Sequence, residues 1–349
     1  MRWNYEDYIK WKDEGCVVNL DVLELDISYE HIQSLEGINN LRSLQILNCR
    51  NNQITSLLPI NNLRFLQTLD CSYNKLMSLE GINNLTNLRE LSCYRNQITS
   101  LLSINNLSNL KKLYCSFNQI NSLEGINNLI NLQELYCQYN QIKSLEPINN
   151  LTNLQVLYCD YNQIDSLEPI KNLNFLQVLY CCNNQITSLL PINNLKFLQR
   201  LDCSLNQIKS LDGINNLNNL QALYCRNNKI TLLLPTNYLT NLKELYCYNN
   251  QITSLEPITN LILLQELYCD HNQITSLLPI NNLIFLKKIY YHDNLIEHIP
   301  PNILRRLNQI KNHQNIYRDA QNVHNHNIQE SIRKSIQNIL NYKPTFTDV

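Results

Sequence analysis

From Leu44 onward the chain repeats itself every 22 residues, twelve times in succession, without an insertion or deletion. The copies begin at Leu44, Leu66, Leu88, Leu110, Leu132, Leu154, Leu176, Leu198, Leu220, Leu242, Leu264 and Leu286, and a thirteenth, degenerate copy begins at Val22. A fixed period of this length specifies a solenoid, with each copy forming one turn. No single turn can bury its own apolar residues, so stability must come from its neighbours. Function in such a chain is a matter of which surface is used rather than which cavity.

One copy, residues 132–153, reads LQELYCQYNQIKSLEPINNLTN, and the general form is LxxLxCxxNxIxxLxxIxxLxx. Positions four and six are apolar with a variable residue between them. That period of two places both on one face of a short strand. Strands stacked from turn to turn form a parallel sheet with neighbours about 4.8 Å apart, so thirteen turns predict a curved rod roughly 60 Å long. Position nine is Asn in all twelve copies, from Asn52 to Asn294, and Glu30 replaces it in the degenerate copy. The chain must turn away from the strand there, and a buried amide offers two donors and an acceptor to the stranded backbone groups. A structural asparagine ladder is expected. Position sixteen is Gly or Pro in twelve of thirteen turns, Ser103 being the exception. It marks a turn on the convex side, and the following INNL segment is too short for more than a 3₁₀ turn or an extended piece.

The pattern resembles the leucine-rich repeat, LxxLxLxx(N/C)xL. Its 22-residue length and its second half, LxxIxxLxx, are most similar to the internalin and phosphatase-regulator classes of that family, over about residues 22–307. The resemblance implies an α/β solenoid: a curved rod with a parallel sheet on its concave face, short 3₁₀ or extended convex segments and helical caps. The implied organisation is an N-terminal cap over residues 1–21, the solenoid over 22–307 and a polar tail over 308–349. In the cap, Asn4 is placed to begin a short helix with Glu6 and Asp7 in its first turn, and Gly15 to end it. Trp3, Tyr5, Tyr8, Ile9 and Trp11 would cover the open end of the core. In the tail, Ile328, Ile332, Ile336, Ile339 and Leu340 follow helical spacing, which predicts one amphipathic helix over about 327–341, as a docked cap or as a helix offered to a partner.

Eleven of the thirteen cysteines occupy position six, from Cys49 to Cys269, where other repeats of this kind carry Leu. Reduced Cys behaves as a small buried hydrophobe. Eleven is odd, adjacent thiols keep strand spacing, and no CxxC pair occurs, so neither disulfides nor metal sites are expected along this column. Cys182, next to Cys181, is expected to point outward. A column of reduced thiols predicts an intracellular, cytoplasmic setting. The net charge of −1 gives no pull toward nucleic acid or anionic membrane. The longest apolar runs are far too short to span a membrane, and residues 1–15 lack the apolar core of a secretory signal.

The candidate surface is the concave side. Position five carries Tyr114, Tyr136, Tyr158, Tyr180, Tyr224, Tyr246, Tyr268 and Tyr290, interrupted once by Asp202. Position eight adds Tyr73, Phe117, Tyr139 and Tyr161, with Arg95 among them, and position seven contributes Tyr94, Arg226 and Tyr248. Tyrosine gives large contact area at low entropic cost and is enriched at interface hot spots. The expectation is therefore a non-enzymatic module that binds a protein or peptide on a tyrosine-lined face and is itself a monomer. The alternative is a purely structural solenoid, in which the tyrosines serve strand propensity and mutual stacking. Mixed charges at position three (Glu90, Glu134, Glu244 and Glu266 against Lys112, Arg200 and Lys288) argue against a phosphate backbone as ligand. Kinase, P-loop and zinc-hydrolase motifs are absent, and no Cys follows Cys269 to serve as the nucleophile of an appended ligase domain. That leaves a cryptic enzyme or effector as the remote reading. His324-x-His326 lacks carboxylate or Cys partners at ligand spacing, so no metal and no cofactor are expected. The abundance of Asn, Ile and Tyr beside only two alanines, Ala222 and Ala320, fits an AT-rich genome. With near-identical tandem copies it resembles the leucine-rich repeat proteins of giant viruses of amoebae. That would place the chain in a host cytoplasm or a virus particle, with a host protein as partner.

Overall fold

The computed structural model describes residues 1–315 and, within them, one continuous parallel sheet of fourteen strands in sequence order. β1 (Arg2–Trp3) and β2 (Glu24–Asp26) open it. One three-residue strand per repeat follows, from β3 (Ile46–Asn48) to β14 (Lys288–Tyr290). From β2 onward, partners lie 22 residues apart without exception, as in Glu134 opposite Val156 and Tyr136 opposite Tyr158. The sheet is open and curved, and the repeat pattern is why: each turn must bury the same seven side chains. In the turn that starts at Leu132 these are Leu132, Leu135, Cys137, Ile142, Leu145, Ile148 and Leu151, all fully buried. Each large aliphatic side chain so covered contributes about 1.5–3 kcal/mol.

The asparagines form the expected ladder. Asn140 donates from Nδ2 to the Cys137 carbonyl of its own turn at 3.0 Å and to the Cys115 carbonyl of the preceding turn at 3.1 Å. Its Oδ1 accepts from the Ile120 N–H at 3.0 Å. The same three contacts recur elsewhere, for instance at Asn74, Asn206 and Asn272. A single side chain thus serves two consecutive turns.

The convex side is held by short 3₁₀ segments such as Glu146–Ile148 and Leu190–Ile192. They begin two residues ahead of the INNL stretch. Pro147 sits in the first turn, where its missing N–H costs nothing. The Ser at position thirteen prepares the turn: Ser144 Oγ accepts from the Glu146 N–H at 3.1 Å, and the pattern recurs at Ser166 and Ser188. Gly replaces Pro where the preceding turn comes too close. A Cβ on Gly125 would stand 2.3 Å from the Leu101 carbonyl oxygen, and its φ of +101° is left-handed besides.

Both ends are closed. Helix α1 (Tyr5–Asp13) starts with a reciprocal capping box between Asn4 and Asp7. It buries Tyr8 and Trp11 over the first turn, with Trp3, Tyr5 and Ile9 packed beside them. β1 ahead of it, pairing with β2, was not legible in the sequence. At the other end helix α2 (Pro301–Asn315) covers the last turn with Ile303, Leu307 and Ile310. Arg306 binds it down by donating to the Leu283 and Ile284 carbonyls at 2.8 and 2.9 Å. α2 therefore runs across residue 307, where the sequence suggested that the solenoid gives way to a tail. Pro301, taken as the turn residue of a last repeat, instead starts a helix. The helix expected over 327–341 lies outside the described residues.

Replacing Asn140 by Ala strands backbone groups of two turns at once. The expected cost is about 2–4 kcal/mol, read as a lowered urea midpoint beside an exposed control such as Asn153→Ala.

Candidate functional site on the concave face

Positions three, five, seven and eight of each turn look into the hollow. The position-five phenols stand out from the sheet as expected, each half-buried, and stack on the next turn. Tyr114 and Tyr136 lie 4.7 Å apart between centroids at 21°, and Tyr136 and Tyr158 4.9 Å apart at 24°. Beyond Asp202 the column resumes, with Tyr246 and Tyr268 at 4.2 Å and Tyr268 and Tyr290 at 4.6 Å. Strand spacing of about 4.8 Å brings neighbouring rings into contact, stacked at Tyr114–Tyr136, Tyr136–Tyr158 and Tyr268–Tyr290 and tilted or edge-on at Tyr158–Tyr180, Tyr224–Tyr246 and Tyr246–Tyr268. Where the rings stack, their faces are taken by neighbours, and what the hollow receives there is ring edges and hydroxyls.

Those hydroxyls are organised by the position-three carboxylates. Tyr136 donates to Glu134 at 3.3 Å and Tyr246 to Glu266 at 2.7 Å, and Tyr224 donates to Glu244. Lys112 pairs with Glu134 at 3.1 Å and Lys288 with Glu266 at 2.6 Å. Burial together with the adjacent carboxylates holds the Tyr114, Tyr136, Tyr224 and Tyr246 phenols well above their usual range, so each remains a donor.

A second aromatic column follows the rim. Phe117, Tyr139 and Tyr161 stack at 4.1 and 4.2 Å, nearly parallel. Tyr73 and Tyr94 extend it by edge contacts at 5.2 Å. The Arg95 guanidinium lies 5.3 Å from the Tyr73 ring centre and 5.0 Å from that of Phe117. Arg226 reaches Tyr248 in the same way, at 5.6 Å. A backbone feature missed in the sequence underlies this rim: position eight is left-handed in every turn, with φ of +54° at Tyr73, +55° at Phe117, +56° at Tyr139 and +53° at Tyr161. Non-glycine residues adopt that conformation at a cost of roughly 1–2 kcal/mol. The signal was present, since Asn51, Asn183, Asn227, Asn249 and Asp293 hold the same position.

Two expectations are corrected. Tyr94, read as an exposed contact residue, is only 3% exposed, its ring held between Tyr73 and Phe117. Cys182, read as an outward, accessible thiol, is 5% exposed. Both stand at position seven, where neighbouring turns also bury Ser72, Ser116 and Ser204, whereas His292 at the same position is exposed.

All thirteen cysteines are unpaired. Burial pushes the position-six thiols far above their usual range, which keeps them protonated and inert. Cys71 and Cys137 donate weakly to the next turn, to the Ser92 and Tyr158 carbonyls. Among the described residues, one group of metal-ligating type comes together: Asp270, His271 and His292. The sequence had singled out only His324-x-His326, which lies outside the described residues. The 22-residue offset brings this group together, for Asp270 and His292 share position seven while His271 and Asp293 share position eight.

The geometry has counterparts among known proteins. The family model for leucine rich repeats (2 copies) matches residues 64–107, 86–130, 108–150, 130–172, 174–216, 218–260 and 240–283. An internalin, InlF of Listeria monocytogenes, superposes with a TM-score of 0.77 at 32% identity, over 79% of this chain and 82% of that one. The chain belongs to the leucine-rich repeat family. A leucine-rich repeat protein of Leptospira interrogans gives a TM-score of 0.70 at 28% identity, over 83% and 82% of the two chains. The functional domain of InlJ from Listeria monocytogenes, which includes a cysteine ladder, gives 0.66 at 26%, over 79% of this chain and 64% of that one. Among curated proteins none matches the sequence. Leucine-rich repeats are in general scaffolds for protein–protein interaction. No helix among the described residues is long and apolar enough to cross a membrane.

Two outcomes follow from the burial of these groups. A thiol reagent applied to the native chain is expected to label Cys16, which is half-exposed, while the other twelve react only after denaturation. Asp160 is held protonated up to about pH 8 by burial first and by Asp202 second. An acid that is neutral when folded and ionised when unfolded costs stability as pH rises, here from about pH 4 to about pH 8. Asp160→Asn keeps the acceptor for the Cys182 N–H, which lies at 2.8 Å. It is expected to flatten that decline, with urea midpoints equal to the parent near the lower limit and higher near the upper one.

Proposed function

We propose that the chain is a non-enzymatic interaction module that takes a protein or peptide into its concave hollow. The contact surface centres on Tyr114, Tyr136, Tyr158 and Tyr180 of the inner column and on Phe117, Tyr139 and Tyr161 of the rim. Tyr224, Tyr246, Tyr268 and the Arg226–Tyr248 pair extend it toward the C-terminal end. The observation that carries this reading is the aromatic rim itself. Four of five consecutive turns place a ring, Tyr73, Phe117, Tyr139 and Tyr161 with Arg95 among them, on a left-handed backbone that Asn or Asp satisfies at lower cost elsewhere in the same molecule. Mutual stacking returns about 0.5–1.5 kcal/mol per pair, which does no more than offset the strain, so folding alone gives little reason for rings there.

The occupied ring faces also favour a polypeptide over single-stranded nucleic acid, whose bases need free faces to stack on. Ring edges, phenol donors and glutamates suit the backbone carbonyls and basic side chains of a protein.

The substitutions Tyr139→Asn and Tyr161→Asn remove the rim rings while easing the backbone. Thermal unfolding is expected to stay the same or rise slightly. A partner recovered by affinity purification from the native cell should be lost from the double variant, together with at least about 2 kcal/mol of binding free energy. Undiminished recovery of that partner refutes the assignment of this face.

A further inference from the structure

At the C-terminal end of the hollow, two adjacent turns present an alternating square of side chains: Asp270 and His271 on one, His292 and Asp293 on the next. Every imidazole nitrogen faces a carboxylate. His271 Nδ1 lies 3.0 Å from Asp270 Oδ2, and its Nε2 lies 3.2 Å from Asp293 Oδ2. His292 Nδ1 lies 2.7 Å from Asp293 Oδ2, and its Nε2 lies 3.7 Å from Asp270 Oδ2. A neutral imidazole has one N–H and one lone pair. Two neutral rings can therefore satisfy only two of these four contacts by hydrogen bonding. The other two set a nitrogen lone pair against a carboxylate, a contact that either a proton or a metal ion completes.

One pair of tautomers leaves both bare nitrogens on the same carboxylate. If both rings donate to Asp293, through His271 Nε2 and His292 Nδ1, the bare nitrogens His271 Nδ1 and His292 Nε2 are left facing Asp270. One ligand atom from each of Asp270, His271 and His292 lies within 4.8 Å of the others. Ligands on a tetrahedral ion stand about 3.3 Å apart, so modest side-chain rotation closes the set. A carboxylate that holds the outer nitrogen of a metal-bound histidine is the usual way such rings are oriented.

The backbone beneath is fixed in advance. Asn272 Nδ2 donates to the Asp270 carbonyl at 3.1 Å, Asn294 Nδ2 to that of His292 at 3.2 Å, and the His271 N–H to the His292 carbonyl at 3.0 Å. The two rings meet edge to face, with centroids 5.0 Å apart. Both histidines are exposed, whereas the Asp270 side chain keeps only 13% of its surface.

We infer that Asp270, His271 and His292 form a binding site for a divalent first-row transition ion of the zinc type, with Asp293 orienting both imidazoles and the remaining position open to water or to a partner's side chain. Nitrogen and carboxylate donors with no thiolate suit Zn²⁺ or Co²⁺ and disfavour Mg²⁺, which prefers oxygen alone.

The test uses the full chain carrying His324→Gln and His326→Gln, so that the histidine pair of the tail contributes nothing. After chelator treatment, Zn²⁺ is titrated calorimetrically, with Mg²⁺ as the control. Binding of one Zn²⁺ per chain is expected, weakened about 10- to 100-fold by His271→Gln or by His292→Gln and lost in the double variant. Co²⁺ should give a d–d spectrum without thiolate charge transfer, and that spectrum should vanish in the same double variant. Asp293→Asn should weaken binding less than either histidine change. Both histidines are exposed, and unfolding of the zinc-free variants is expected to match the parent. If they do not fold, Asp270→Asn, with its altered Co²⁺ spectrum, carries the test. Absence of Zn²⁺ binding, binding unmoved by the histidine changes, or a thiolate band in the Co²⁺ spectrum each overturns the assignment.

Discussion

Each turn of this molecule is locked to the next by one amide. The position-nine Asn holds a carbonyl of its own turn, a carbonyl of the turn before and an N–H of the turn before, all inside the core. Without it, the corner where the strand bends away would leave backbone groups buried and unpaired, at about 1–3 kcal/mol each. With it, the strand can end after three residues and the chain can return along the convex side. The 22-residue period, the unbroken register of the sheet and the constant placement of every other side chain rest on that contact.

The core residues fit around this corner. Position six itself carries the carbonyls that the asparagine engages. Cys fills it as a small apolar group and in places adds a weak bond to the neighbouring strand, as Cys137 does to Tyr158. A stack of this kind has open ends, and the chain closes them with unlike devices. The N-terminal end takes an aromatic-rich helix and an added strand, the C-terminal end a helix whose Ile303, Leu307 and Ile310 repeat at helical spacing.

The concave face turns the same regularity outward. Identical offsets bring like side chains together, so rings stack on rings and carboxylates recur beside phenols. They also bring unlike side chains together wherever the repeat has diverged. Asp202 breaks the inner tyrosine column, and the histidine–aspartate square near its end arises from two consecutive departures from the consensus. Divergent positions within a regular ladder are where this molecule departs from mere scaffolding.

The sequence by itself determined the solenoid, the inward column of Leu, Ile and Cys, the asparagine ladder and the outward phenols, because each depends only on period and on the alternation of a strand. It also placed the N-terminal helix, whose cap residues are local. Tertiary structure alone decided what depends on curvature and on contact between turns. Tyr94 and Cys182 became buried because side chains of the adjacent turns cover them, as Tyr73 and Phe117 cover Tyr94. The rim rings acquired a left-handed backbone because the chain must twist there into the asparagine corner. The pairing of Asp270 with His292 exists only because residues 22 apart become neighbours, and α2 took over from the repeat at Pro301 because an exposed core edge accepts whichever apolar face can reach it.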